Sequence, residues 1–238
     1  AIGLGIEYAE VRHQSDTFES VILKNGVTEA SVLEENKGLS VRVITDGSLG
    51  FASTNTLLRR SVKQTVTEAF KLAHAASRLL EKGVKMGSGD LGNEKVDIKP
   101  RIRFSNVDLE SRVKLLKEAD GEAEVVAAET QVKVPARLLK LDTWLTEKMV
   151  VTSDGTRVSS VTPRAALYTL ITAYHPHKGS VQRSFDLGGT GGWEVVERWN
   201  LPELLRDEAR SLSQILLKAK EAPKGEIDLV LGPEVVGI

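Results

Sequence analysis

Cysteine is missing from this chain altogether, so neither a disulfide nor a thiolate metal ligand can come from it, and a reducing compartment is favoured. An excess of charge of one sign is missing too. With 32 basic and 33 acidic residues the net charge is −1, and no global field draws nucleic acid or an anionic membrane surface toward the protein. No apolar run approaches the roughly 20 residues of a membrane span, and the start has neither the basic nor the apolar region of a signal peptide. The expectation is a soluble, cytoplasmic protein with no nucleic-acid and no membrane partner. Familiar catalytic signatures are also absent: there is no Ser nucleophile elbow, no phosphate-binding loop with its Lys, and no His-Glu-x-x-His run. On its own residues the chain is not a complete enzyme.

What is present is a β-rich scaffold with helical interruptions. At 238 residues the chain is long enough for one large domain or two small ones. Residues 1–5 carry no Met, and Gly3 and Gly5 fit the stop of a helix begun earlier. Short strands are predicted over Ile6–Arg12, Thr17–Leu23, Val27–Leu33, Leu39–Ile44 and Leu49–Ala52, with Asn25-Gly26 and Asp46-Gly47 as hairpin turns. From Thr56 to Lys82 the apolar period changes from 2 to 3.6. Leu58, Val62, Val66, Ala69, Ala73, Ala76 and Leu80 form one stripe, whose small residues imply close packing on the sheet. Thr54 or Asn55 can cap this helix and Gly83 can end it.

A second helix is predicted from Leu109 to about Ala128, with Val113, Leu116, Ala123 and Ala127 on one face. Strands follow over Val132–Leu145, Lys148–Thr152, Arg157–Val161, Arg164–His175 and Val181–Phe185, with Asp154-Gly155 as a third hairpin turn. Leu201–Glu221 is the best-defined helix, stopped by Pro223 and Gly225. Ile227–Leu231 reads as a strand of buried character, and 233–238 begins a new apolar segment. The expected fold class is α+β. Two antiparallel-sheet units, 1–85 and 95–200, each pack with a long helix, and 201–238 starts a third, C-terminal domain of what is expected to be a longer protein.

The stretch Phe185–Glu194 draws most attention, because four glycines surround one threonine. Glycines can put main-chain N–H groups where a residue with a Cβ cannot go. Two readings are open for Gly188, Gly189, Thr190, Gly191 and Gly192: donors for a peptide bound as an added strand, or a flexible crossing between domains. Trp193 can clamp a peptide side chain or anchor the loop to the core. Asp186, Glu194 and Glu197 can form an acid and base pair, or mark a solvated face. His175-Pro-His177 puts two imidazoles at i and i+2 without an obvious third metal ligand. His13 and His74 stand alone and read as structural. The run Gly87-Ser-Gly-Asp-Leu-Gly92 spells the dinucleotide fingerprint, but that motif needs a strand before it and a helix after it, so a linker is the expected reading.

Several of these stretches together resemble one family. They are Glu7-Tyr-Ala-Glu-Val-Arg12, Lys24-Asn-Gly26, Gly38-Leu-Ser-Val-Arg-Val43 with Asp46-Gly47, Gly50-Phe-Ala-Ser-Thr-Asn55, and Gly188-Gly-Thr-Gly-Gly-Trp-Glu194. In this order they are similar to the amino-terminal half of the TldD/PmbA family, often labelled modulators of DNA gyrase. The resemblance implies a TldD-type zinc metallopeptidase that trims peptides and unfolded segments, working with a PmbA (TldE) paralogue or as a homo-oligomer. It also implies that the family's zinc motif, a His-Glu pair with a further His, follows Pro233–Ile238, with a thiolate ligand further on. No residue of this chain holds those positions. Zinc is therefore expected in the full-length protein and none on this chain, and no catalytic or metal residue is assigned. What carries over is the scaffold, with Gly188 to Trp193 as the substrate-binding wall of a peptide cleft. The alternatives are a fragment of a PmbA/TldE-type partner that binds peptide or the TldD subunit, and a nucleotide-binding module at Gly87–Gly92.

Overall fold

One strand, β1 (Tyr8–Lys24), pairs along nearly its whole length with a neighbour on each side, and the sheet of seven strands is built outward from it. The computed structural model describes residues 5–87, 89, 92–220 and 223–236. The strands β2 (Val27–Thr45) and β3 (Ser48–Thr54) follow through Asn25-Gly26 and Asp46-Gly47. The φ values of these two turns, 48° with 75° and 51° with 68°, are the paired positive angles of tight hairpins. Next come helix α1 (Arg59–Ser77), strand β4 (Asn93–Asp97) and helix α2 (Leu109–Thr130). Strands β5 (Lys133–Thr152), β6 (Arg157–His175) and β7 (Gly179–Thr190) lead to helices α3 (Trp193–Arg198) and α4 (Leu201–Lys218) and a last turn, α5 (Pro233–Val236). The strand order is β3-β2-β1-β5-β6-β4, with β7 also on β6.

The fold is α+β, as the sequence implies, but the two expected sheets are one. β1 meets β5 antiparallel from Glu10 opposite Thr152 to Lys24 opposite Leu138, and this ladder joins the two halves. The five short strands expected in the first half are three long ones, because Gln14-Ser-Asp16 and Glu34-Glu-Asn-Lys37 stay in register instead of turning. A polar run does not break a strand whose main chain is taken up by a paired neighbour, which is β1 for Glu34–Lys37 and both β2 and β5 for Gln14–Asp16.

β6 likewise runs through Pro163, and the outer edge of that strand explains how. β4 pairs in parallel with Arg157–Val161, and β7 pairs antiparallel with Arg164–His175. Pro163 falls in the gap between them, where its carbonyl accepts the Gly191 N–H at 3.0 Å and its missing N–H leaves no ladder bond unmade. β4 itself directly follows the run Gly87–Gly92 that the sequence implied was a linker. Its residues Asn-Glu-Lys-Val-Asp have little strand propensity and are held by the open edge of β6.

Both helical layers cover the same face of the sheet. Val11 and Val21 point to one side, since no register shift separates them. Val11 packs with Val41, Val43 and Ala52 beneath α1, and Val21 joins Leu23, Leu116, Leu139 and Leu167 beneath α2. In α4, Leu201, Leu205 and Leu212 belong to the second cluster, and Ala209 closes on Ala123 and Val126 of α2, placing 201–218 in that core. α1 begins after Leu58 without a side-chain cap and ends at Ser77, while Gly83 lies against Gly47 instead of closing the helix.

The buried strand expected over Ile227–Leu231 is a correction. The segment has no regular secondary structure and is exposed, Val230 fully so, with no strand partner among the described residues. An apolar run becomes a strand only when a neighbour takes its main-chain groups. Residues 1–4, the predicted helix end at 221–222 and the last apolar positions 237–238 lie outside the described residues. Among the described residues no helix is long and apolar enough to cross a membrane.

Candidate functional site

Between the two helical layers a stretch of the same sheet face carries no helix. It presents Thr17 and Glu19 of β1, Thr143, Leu145 and Glu147 of β5, and Val161 and Pro163 of β6. Residues 97–105, which lead from β4 into α2, line its other side and enclose a cavity of about 630 Å³. That is the size of a small-molecule or peptide subsite, about 300–1,000 Å³.

One buried cation fixes the inner end of this groove. Arg112 of α2 is 3% exposed and forms an ion pair with Glu19. Its guanidinium also donates to the carbonyls of Phe104 (2.7 Å) and Val107 (3.1 Å) and to Thr143 Oγ1 at 3.3 Å, and it lies over the Trp193 ring at 5.7 Å. A single side chain thus ties α2, the sheet, the 97–105 segment and α3 together. Sequence reading missed it because an apolar-face search skips charges. Arg112 and Asp120 nevertheless lie on the buried stripe with Leu116, Ala119, Ala123 and Val126, and a charge at such a position signals a buried pair.

The glycine passage does not line this cavity; it touches the 97–105 segment and Pro163 from the β7 side. Gly188, Gly189 and Thr190 are the last three residues of β7, opposite Ala166, Ala165 and Arg164. Gly191 has φ 145°, and Gly192 precedes α3. A Cβ on Gly189 or Gly191 would come within 2.6 or 2.7 Å of Val195, and one on Gly192 would stand 2.0 Å from the Ile102 carbonyl. At Gly188 a Cβ meets nothing within 4 Å. Three of the glycines are therefore filled by close neighbours and one is open. Trp193 is 7% exposed and sits in the main core. Its N–H donates to the Ile102 carbonyl at 2.8 Å.

Glu194 is the staple of this turn. Its two carboxylate oxygens accept from the main-chain N–H groups of Ile102 and Gly192, each at 2.9 Å. Burial pushes its carboxyl up, and these N–H donors outweigh burial and hold it down to about 2. The folded-state value lies below the ordinary 4.5, so the contribution to stability is complete above pH 4.5 and is lost as pH falls toward 2. Glu194→Gln is expected to lower stability at pH 7 by about 1–2 kcal/mol, allowing for its partial exposure. Denaturation midpoints at neutral and acid pH check this: the gap to the parent chain should narrow as pH falls from 4.5 to 2.

The expected acid and base pair does not assemble. Glu194 is occupied as described, Glu197 pairs with Arg101 at 3.0 Å, and Asp186 lies opposite Tyr168 on the sheet face away from the helices. His175 and His177 are ring neighbours at 5.8 Å, but His175 Nδ1 accepts the His177 N–H at 3.2 Å. His74 pairs with Asp46 at 3.1 Å and stacks on Phe70, and His13 lies within β1 opposite Leu39. Of the Gly87–Gly92 run, Ser88, Asp90 and Leu91 lie outside the described residues. It is followed by β4 and not by a helix, so the helix N-terminus that would meet a pyrophosphate is not provided. Among the described residues no group of three or more His, Asp or Glu side chains is placed to hold a metal ion, so the residues present do not fit a zinc site.

Two family models match the chain: PmbA/TldA metallopeptidase domain 1 over residues 9–73, and the PmbA/TldA metallopeptidase central domain over 102–222. A curated metalloprotease of Methanothermobacter thermautotrophicus is 26% identical over 234 residues, 98% of this chain and 48% of its own length. One of Methanocaldococcus jannaschii is 22% identical over 232 residues, 98% of this chain and 49% of its own. The chain thus spans about half the length of the curated relatives it matches. A Thermotoga maritima protein described as a modulator of a DNA gyrase superposes with a TM-score of 0.72 at 18% identity, covering 94% of this chain and 48% of that one. TldE from Thermococcus kodakarensis does so with 0.60 at 13%, covering 90% and 45%. At these identities the likeness is one of fold.

Proposed function

The chain belongs to the PmbA/TldD metallopeptidase family, and from that premise we propose that it is the amino-terminal portion of a TldD-type, zinc-dependent peptidase acting on peptides and unfolded segments. The observation that carries this reading is the match to both the first and the central metallopeptidase domains, in order and over most of the chain. The two curated relatives named metalloproteases support a peptidase role at the level of the family. In this proposal the zinc, and the groups that act with it, belong to the part of the protein that the relatives have beyond this half.

These residues contribute the wall that receives an extended peptide. Gly191 donates to Pro163, which sets the odd positions of β7 toward β6 and turns the main-chain groups of Gly188 and Thr190 outward. β7 pairs with β6 alone among the described strands, so an added strand finds donors and acceptors there, with open space at Gly188. A PmbA/TldE-type paralogue or a second copy completes the assembly, in the cytoplasm. The test is hydrolysis of casein and a fluorogenic peptide library by the whole protein carrying this sequence. Cleavage that a chelator abolishes and zinc restores is expected. A whole protein that keeps no zinc through gel filtration and cleaves nothing would move the chain to the non-catalytic partner class.

A further inference from the structure

The groove between the helical layers carries charges that do not cancel one another. Lys99 and Arg103 are exposed on the 97–105 side, and neither joins an ion pair among the described residues. Glu147, exposed on the sheet side, is likewise unpaired among them. Asp97 gives one oxygen to Lys95 at 2.7 Å, while its Oδ1 is buried and has no hydrogen-bond partner among the described residues. A buried carboxylate oxygen in that state gains from any donor that reaches it. Between the charges lie the apolar Phe104, Leu145 and Pro163.

A ligand of one sign suits only part of this lining. A phosphate would face Glu147 and Asp97, and a polyamine would face Lys99 and Arg103, each at a cost in like-charge contact. A small zwitterion serves both. We infer that the groove is a binding site for a short peptide with both termini free, its ammonium toward Asp97 and Glu147 and its carboxylate toward Lys99 and Arg103. An apolar side chain of the peptide lies between the ends against Phe104 and Leu145. The inference rests on the peptidase reading for the kind of molecule at hand, and it needs neither hydrolysis nor a metal.

The experiment is calorimetric titration of the chain, without added metal, with Ala-Leu-Ala, its N-acetylated form and its C-amidated form. The free tripeptide should bind, and each blocked end should weaken binding about tenfold. Glu147→Gln should remove the penalty for acetylation, and Lys99→Ala with Arg103→Ala should remove the penalty for amidation. All three side chains are exposed, and unchanged thermal midpoints verify that the variants fold. Equal binding of all three peptides, no heat at millimolar peptide, or variants that leave both penalties in place would overturn the inference. Failure here leaves the zinc-dependent hydrolysis test unaffected, and loss of hydrolysis leaves this binding test unaffected.

Discussion

Gly50→Ala is expected to destabilise the protein by about 3 kcal/mol or more, at the upper end of overpacking losses. Gly50 sits in β3 opposite Val43, where α1 comes down onto the sheet. An added Cβ would stand 1.9 Å from the Ala69 carbonyl oxygen, 2.7 Å from the Ala73 nitrogen and 2.9 Å from the Ala73 Cβ. Two of these atoms are main chain, so no rotamer change relieves the clash, and the helix must lift. Lifting it exposes Val41, Val43 and Ala69, each at most 1% exposed in the folded chain. Urea denaturation measures the loss. Gly188→Ala, at an open position, is the control and should change stability by no more than about 0.5 kcal/mol. Equal midpoints for Gly50→Ala and the parent chain would show that α1 does not rest on β3 as described.

Asp120→Ala should cost about 3–5 kcal/mol. Asp120 and Arg137 are 3% and 6% exposed and meet through two charge-assisted bonds of 2.8 and 2.9 Å. Arg137 also donates to the Val134 carbonyl at 2.8 Å and to Glu124 at 2.6 Å. Its main chain exchanges bonds with Asn25 at the β1–β2 turn: Asn25 Oδ1 accepts the Arg137 N–H at 2.8 Å, and the Asn25 N–H reaches the Arg137 carbonyl at 3.0 Å. Removing the carboxylate leaves the guanidinium buried with, among the described residues, only Glu124, which is 64% exposed, to balance it. The Asp120→Leu/Arg137→Met pair should recover most of the loss, because no unpaired charge remains. Glu124→Ala should cost less than about 1 kcal/mol. An Asp120→Ala loss as small as that of Glu124→Ala, by the same denaturation series, would mean that the pair is not buried.

Local chemistry was legible in the sequence, and long-range pairing was not. Asn25-Gly26 and Asp46-Gly47 need positive φ and are read from two residues, and the small residues Ala69 and Ala73 announced the close contact that Gly50 allows. The joining of the halves into one sheet depends on β1 meeting β5 over a hundred positions later, and no local pattern encodes it. β4 is a strand only because β7 leaves part of the β6 edge free. The candidate site divides in the same way. Four glycines in the run Gly188–Gly192 are visible, but whether each is open or filled is decided by Val195 and by Ile102, some ninety positions earlier. Arg112 and Glu19, which set the end of the groove, lie on elements that only the fold brings together.

The central proposal, that the residues of this chain receive the peptide and a metal site outside them does the chemistry, is tested most directly by photocrosslinking. A benzophenone-bearing peptide is bound to the zinc-stripped whole protein and irradiated, and the adducts are mapped by mass spectrometry, with unlabelled peptide as competitor. Adducts at Gly188–Thr190 and on the 97–105 and 143–147 stretches of the groove, all lost on competition, are the expected result. Competed adducts found only outside these 238 residues would contradict it.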